Sequence, residues 1–109
     1  MIYTKLLLVF TLTTNLLFGQ ELPTIINQTD FSIGKSILFK STILDENREL
    51  NIYLPSSYAT DSTKKYPVIY LLDGSKDEDF IHVAGIVQFG SFSWINMMPE
   101  TIVVGIANI

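Results

Sequence analysis

Cysteine is absent from the sequence, and histidine occurs only once among its 109 residues. The lack of cysteine excludes a disulfide framework, a cysteine nucleophile, a thiolate metal site and a lipid anchor built on a cleaved cysteine. Because one histidine does not supply the ligand set of a zinc site, we expect no bound metal, and no cofactor motif is present.

Positive charge is also scarce in the chain. Lysine and arginine total 7 against 11 aspartates and glutamates, which gives a formal net charge of −4. The basic residues form no stripe, and the adjacent pair Lys64-Lys65 is interpreted as part of a solvated loop. We therefore expect no nucleic-acid partner. No pattern in the chain specifies an oligomeric state.

The N-terminal apolar run is shorter than the roughly 20 residues that a membrane span needs. Residues 1–20 read MIYTKLLLVFTLTTNLLFGQ, with Lys5 before a short apolar core and Gly19 near the end. This layout predicts a secretory signal peptide over residues 1–20, hence a periplasmic or secreted protein with no stable membrane span after its removal. Leu17 stands where a small residue usually precedes cleavage, so an uncleaved anchor or a buried helix is the alternative.

The rest of the chain has the composition of a globular protein, since 48% of the sequence is apolar and 17% is charged. Residues 21–34 are polar and predict a mature N-terminal tail, and residues 35–109 predict the folded region. Residues 36–44 and 50–54 predict two strands, the second with one buried face. Asp45-Glu46-Asn47 between them suits a hairpin turn.

A strand, a helix and another strand are predicted next. Residues 66–72 (YPVIYLL) are apolar without alternation, which predicts a strand buried on both faces. Ser75 and Glu78 fit the S-x-x-E capping box at the start of a helix. Apolar residues then recur at helical spacing at Phe80, Val83, Ala84 and Val87. With a second buried strand at 101–106, the prediction is an α/β fold in which an antiparallel hairpin precedes a βαβ unit in a mixed sheet.

The order of these segments resembles the esterase family of the α/β-hydrolase superfamily. The similarity lies in RELNIYLPSSY, then KKYPVIYLLDG, then a helix, then TIVVGIAN, and covers about residues 35–109. This branch includes siderophore esterases, feruloyl esterases and the S-formylglutathione hydrolase type. The most specific elements are Tyr53-Leu54-Pro55 with Tyr58, and Tyr66-Pro67-Val68 followed by Leu71-Leu72-Asp73-Gly74.

The resemblance implies a serine hydrolase that acts on a small-molecule carboxylic ester without a cofactor. In this fold the nucleophile lies on a G-x-S-x-G turn, followed in chain order by an acid and a histidine. The resemblance places all three beyond Ile109, so residues 35–109 would be the incomplete N-terminal portion of the hydrolase domain. A chain without these groups is expected to be inactive by itself.

Two residues of the chain could be mistaken for members of a triad. Ser93 lies in GSFSW, a stretch that departs from G-x-S-x-G because it ends on Trp94 instead of glycine, and no strand precedes it. Ser93 is therefore interpreted as a loop residue. His82 comes before any possible nucleophile turn, so chain order excludes it as the base, and we expect it on the polar face of the helix.

The loop after the strand at 66–72 is the candidate functional element, because ligands bind at the carboxyl ends of strands in open α/β sheets. The resemblance implies that a backbone N–H here helps to form the oxyanion hole, and the matching positions are Gly74 and Ser75. Alternatively, Asp73-Gly74 only makes the turn and Ser75 caps the helix. Nearby acids are interpreted as first-turn residues that favour the helix dipole rather than as a cation site: Asp73, Asp77, Glu78 and Asp79.

Two other functions stay open on the sequence. One is a small exported binding module without catalytic activity, and the other is an acyltransferase of the same fold. The hydrolase strand order places residues 66–72 at the centre of the sheet, so in this chain alone the strand would present an apolar edge that invites aggregation. A soluble monomer with cooperative unfolding would favour the binding module.

Overall fold

The computed structural model describes residues 21–108, and the first two strands of its sheet are antiparallel. Strand β1 runs Lys35–Ser41 and strand β2 runs Glu46–Tyr53. The turn between them comes earlier than predicted, over residues 42–45, because Asp45 takes up the left-handed backbone conformation (φ 52°) and Glu46 already pairs with Ser41. The hairpin itself is confirmed.

The βαβ unit follows as expected. Strand β3 (Val68–Leu72), helix α1 (Phe80–Gly90) and strand β4 (Ile102–Ile106) succeed one another, with a short 3-10 helix at Ser56–Ala59 before them. Within residues 21–108 the sheet has four strands in the order β1-β2-β4-β3. Strand β4 pairs parallel with β3 and antiparallel with β2, so the predicted mixed sheet is confirmed.

The core lies between helix α1 and one face of the sheet. Phe80, Ala84 and Val87 are buried on the helix face that the periodicity predicted, and they pack against Tyr53 and Val103. Burying a valine or phenylalanine side chain stabilises a fold by roughly 1.5–3 kcal/mol. This small cluster is therefore the main apolar contribution to the stability of the described residues. The buried face of β2 is the one that carries Asn51 and Tyr53.

Strand β3 differs from the expectation of burial on both faces. Ile69 and Leu71 pack against the core, whereas Tyr70 and Leu72, which point to the opposite face, are 71% and 72% exposed. In the described residues β3 forms the edge of the sheet, and no element covers its second face. The predicted apolar edge is therefore present in the structure.

The helix also begins later than the capping box predicted. Helix α1 starts at Phe80, and the Ser75 carbonyl oxygen, not its hydroxyl, accepts the Glu78 N–H at 3.1 Å. Residues 76–79 form turns instead, and Asp79 at the N-cap makes no side-chain capping bond. The S-x-x-E pattern here marks a turn that precedes the helix.

Residues 21–30 form a separate unit without regular secondary structure, and they are exposed. The compact unit begins at Phe31. The predicted signal peptide at 1–20 lies outside the described residues. Among residues 21–108, no helix has the length and apolar character that crossing a membrane requires.

Candidate active site

The loop after β3 packs directly against strand β4, at the carboxyl ends of these two parallel strands. The Gly74 N–H donates to the Ile106 carbonyl oxygen at 3.0 Å, which continues the β3–β4 pairing beyond the end of β3. A Cβ atom on Gly105 would lie 2.6 Å from the Gly74 carbonyl oxygen and 2.7 Å from a ring carbon of Phe80. Glycine at position 105 is therefore what allows the loop to approach the strand so closely.

The two amides suggested as oxyanion donors have different surroundings. The Gly74 N–H is occupied by its bond to Ile106, whereas the Ser75 N–H has no acceptor within residues 21–108. Ser75 is half-buried. Of the two candidates, Ser75 thus has the backbone donor that is available to a ligand at this edge.

The turn that presents Ser75 is held by Asp73 and by the residues after β4. Asp73 adopts a left-handed conformation (φ 56°), which reverses the chain directly after the strand. Asn108 donates its side-chain amide to Asp73 Oδ1 at 2.8 Å and to Glu78 Oε1 at 3.2 Å. One amide therefore ties both ends of the loop to the segment that follows β4.

The acidic residues here do not occupy the first turn of the helix as expected. They lie in the loop and turns ahead of it, because α1 begins only at Phe80 and has no acid in its first turn. Within residues 21–108, no three carboxylate or imidazole groups come close enough together to hold a metal ion. Two of these acids, Asp73 and Glu78, contribute to the loop structure through Asn108.

Asn51 is a site residue that the sequence interpretation missed. Its side chain is 1% exposed, and its amide nitrogen donates to the Gly74 carbonyl oxygen at 2.8 Å. The sequence pattern pointed the other way, since alternation assigns the buried face of this strand to Leu50 and Ile52, whereas the structure buries Asn51 and Tyr53. A buried amide needs hydrogen-bond partners, and here one of them is the candidate loop.

At the amino-terminal ends of the parallel strands, a polar cluster joins segments that carry the family resemblance. The Ser57 hydroxyl donates to Glu100 Oε2 at 2.6 Å and lies 2.7 Å from the Tyr66 hydroxyl. Lys64 forms an ion pair with Glu100 and donates to the Ser57 hydroxyl oxygen at 3.3 Å. The YLPSSY and KKYP segments and the residue before β4 thus meet around one carboxylate.

The charges in this cluster are strongly coupled. Hydrogen bonds from Lys64 and Ser57 lower the pKa of Glu100 to about 2. The bond to Glu100 raises the pKa of Lys64, and burial together with the Glu100 charge raises the pKa of Tyr53. The ammonium and the carboxylate are therefore both fully ionised at neutral pH.

Ser57 is not an activated nucleophile despite its charged neighbours. A general base needs a pKa near the working pH, but Glu100 with a pKa of about 2 is too weak a base, and Lys64 holds its proton. Ser57 also lacks the G-x-S-x-G pattern, since Pro55 and Ala59 stand at the two glycine positions. The cluster joins the loops of the amino-terminal edge.

The other residues considered as triad members are also accounted for. Ser93 lies exposed in the turn after α1, and no strand precedes it. His82 is exposed on the helix, as expected for its polar face. Ser93 lines a cleft of about 670 Å³ that extends to Tyr53 and Glu100. Phe92 and Trp94, which also line it, stack with ring centroids 4.5 Å apart.

The mixed sheet, the helix that crosses between its parallel strands and the loop at their carboxyl ends define the class of α/β-hydrolases. A family model described as "Putative esterase" matches residues 41–108. The chain belongs to this esterase family. No curated protein gives a significant match to the chain.

Solved structures give the same classification. An IroE-like serine hydrolase from Shewanella oneidensis is 42% identical with a TM-score of 0.63, over 70% of this chain and 23% of that one. A ferulic acid esterase from Anaeromyces mucronatus, solved with ferulic acid, is 28% identical with a TM-score of 0.52, over 74% and 30%. The BES protein from Bacillus cereus is 25% identical with a TM-score of 0.58, over 80% and 32%. The chain therefore spans about a quarter to a third of the length of these structures.

Proposed function

We propose that this chain supplies the N-terminal part of an exported serine hydrolase that cleaves small-molecule carboxylic esters. The observation that carries the proposal is the Ser75 N–H, which lies at the carboxyl edge of the parallel strands without an acceptor among the described residues. Membership of the esterase family and the likeness to a serine hydrolase and a ferulic acid esterase support the same reaction class.

The proposed step is acyl transfer through a tetrahedral intermediate. A serine hydroxyl from the rest of the protein attacks the ester carbonyl carbon and gives its proton to a histidine, while the carbonyl electron pair moves onto oxygen. The Ser75 N–H donates a hydrogen bond to this oxyanion. Collapse of the intermediate expels the alcohol, which takes the proton from the histidine, and water then releases the acid by the same sequence.

The serine, acid and histidine are proposed to lie beyond Ile109, because residues 21–108 contain one histidine, and it is exposed on α1. The uncovered face of β3 supports the proposal that further structure beyond Ile109 belongs to the same domain. Tyr70 and Leu72 are 71% and 72% exposed there, and an apolar surface of this kind is normally covered by further structure. The 109-residue chain alone is therefore proposed to be inactive.

Export is proposed from residues 1–20, whose composition is that of a secretory signal peptide. Cell fractionation with N-terminal sequencing of the full-length protein tests it. We expect a periplasmic or secreted product that begins near residue 21. A protein retained in the cytoplasm with Met1 intact would contradict the export proposal and leave the chemistry unaffected.

The activity is tested by expressing the reading frame that continues past Ile109 and assaying short-chain and aromatic acyl esters. We expect hydrolysis that a serine-directed fluorophosphonate abolishes, with the label on a serine beyond residue 109. The control is the 109-residue chain under the same conditions, for which we expect no turnover above the uncatalysed rate. Turnover by this shorter chain at enzyme-like rates, or labelling of Ser57 or Ser93, would contradict the proposal.

A further inference from the structure

The Asn51 side chain is held in one orientation inside the fold. Its amide nitrogen donates to the Gly74 carbonyl oxygen at 2.8 Å, and its amide oxygen accepts the Ser36 hydroxyl at 2.5 Å. A carbonyl oxygen can only accept, so the amide nitrogen must face Gly74. Rotating the amide would leave two oxygens facing each other in a site that is 1% exposed, which is costly.

The Gly74 carbonyl and the Ser75 N–H belong to the same peptide unit. The described residues contain no cis peptide bond, so the C=O and N–H of this planar unit point in opposite directions. Fixing the carbonyl toward Asn51 therefore fixes the Ser75 N–H in the direction away from β2. The Gly74 N–H, bonded to Ile106 at 3.0 Å, holds the preceding peptide unit in place.

We propose that Asn51 is a positioning residue that aims the Ser75 N–H at the oxyanion of the reacting ester. This inference rests on the proposed function. An oxyanion donor stabilises the transition state only if its direction is set before the charge develops. The hydrogen bond at the carbonyl end also polarises the peptide unit, which makes its N–H a stronger donor.

The test uses the full-length protein and the variant Asn51→Leu, which is close in size and lacks the donor. We expect kcat to fall about 10- to 100-fold, below the full loss of a donor, while KM stays within about twofold. The affinity for an arylboronic acid, whose tetrahedral serine adduct places an oxygen in the oxyanion site, should fall in parallel with kcat. A purely structural role would not produce this separation of kcat from KM.

Two control variants separate positioning from general loss of a buried hydrogen bond. Thr101→Val removes a buried hydroxyl, 2% exposed, that donates to the Pro99 carbonyl oxygen at 2.8 Å, on the other edge of the sheet. Ser36→Ala removes the second partner of Asn51 and leaves the bond to Gly74. We expect kcat within about threefold of wild type for Thr101→Val, which loses no contact with the loop. For Ser36→Ala, which keeps the bond to Gly74 but loses one support of Asn51, kcat should fall between the values of wild type and Asn51→Leu.

If the wild-type protein hydrolyses esters, two results would overturn the positioning role alone. One is an unchanged kcat in Asn51→Leu, and the other is a kcat in Thr101→Val that falls by the same factor as in Asn51→Leu. A wild-type protein that hydrolyses no ester would overturn the proposed function and this role with it. If Asn51→Leu does not fold, a crystal structure of the wild-type arylboronate adduct decides. A boronate oxygen within about 3.1 Å of the Ser75 nitrogen, with the Asn51 amide still bonded to the Gly74 carbonyl, supports the positioning role. The same boronate contact with the Asn51–Gly74 bond broken overturns that role alone. A boronate oxygen beyond hydrogen-bond reach of Ser75 overturns the oxyanion role of Ser75 as well.

Discussion

A Cβ atom added to Gly74 would lie 2.4 Å from the Cα atom of Gly105, so the two glycines bring the candidate loop and strand β4 into direct backbone contact. No flexible side chain lies between them that could move aside. The contact places the loop against the strand at the edge where the proposed chemistry occurs. It is therefore the point at which a single methyl group should have the largest effect.

Gly74→Ala in the full-length protein should lower both stability and activity. Overpacking at a backbone contact costs about 1–3 kcal/mol, and displacing a catalytic group by about 1 Å costs roughly 100-fold in rate. Chemical denaturation and kcat measure the two effects. The control is Gly85→Ala in helix α1, where a Cβ meets nothing within 4 Å, and which should stabilise the protein by about 0.5–1 kcal/mol. Equal kcat in the two variants would contradict the importance of the contact.

Glu100 should contribute stability that depends on pH. Its pKa lies at about 2 in the folded protein against an ordinary value of 4.5. Since the folded pKa is depressed, the contribution is complete above pH 4.5 and is lost as the pH falls toward 2. Glu100→Gln should lower the free energy of unfolding at pH 6 by about 1–2 kcal/mol through the charged hydrogen bond from Ser57, and the difference from wild type should narrow toward pH 2.

The control for this series is Glu49→Gln, because the Glu49 carboxylate makes no ion pair or side-chain hydrogen bond within the described residues. Its difference from wild type should stay small across the same range. A wild-type advantage over Glu100→Gln that persists unchanged at pH 2 would show that the carboxylate charge is not what stabilises the amino-terminal edge.

Ser57→Ala should leave esterase activity within about twofold of wild type. The hydroxyl lies beside a lysine that holds its proton and a carboxylate with a pKa of about 2, so nothing in the cluster removes its proton. The variant should still lose about 1 kcal/mol of stability with its hydrogen bonds. A loss of activity larger than this change in folding explains would indicate that the cluster takes part in the chemistry.

The open face of β3 predicts opposite effects in the short and the full-length protein. Tyr70→Lys places a charge where the side chain is 71% exposed, so the 109-residue chain should become more soluble. In the full-length protein the same lysine should destabilise by several kcal/mol, because the face is proposed to be covered there. Sedimentation and denaturation measure both, with Thr60→Lys in an exposed turn as the control. Equal stability of the two full-length variants would contradict coverage of the face.

The sequence predicted the elements of the fold better than their surroundings. The hairpin and the helix face at Phe80, Ala84 and Val87 follow from periodicity, which depends only on local backbone geometry, and the final strand follows from its apolar run. The exposure of Tyr70 could not be predicted from local sequence. The apolar run of β3 indicates that both faces are buried in the whole domain, and does not show which residues cover them. The capping pattern at Ser75 was also misleading, since the same residues can form a turn.

In the candidate site, too, residues fixed by their neighbours in sequence were easier to predict than residues brought there by strand pairing. Gly74 and Ser75 could be predicted as candidates because the loop follows a strand directly in the sequence and the family resemblance marks it. Asn51 was missed because its contact with Gly74 depends on strand pairing in space. Of the segments with family resemblance, those around Ser57 and Tyr66 meet in the Glu100 cluster at the amino-terminal ends of the parallel strands. The segment Leu71-Leu72-Asp73-Gly74 instead leads into the candidate loop.

The strand order β1-β2-β4-β3 has a consequence for how the protein is made. During synthesis β3 leaves the ribosome without a pairing partner, because its neighbour β4 follows about 30 residues later. At roughly 5–20 residues per second, this apolar strand waits for a few seconds before it can pair. We expect chaperones that bind nascent chains to be captured in this interval, when β3 is the longest uninterrupted apolar segment outside residues 1–20.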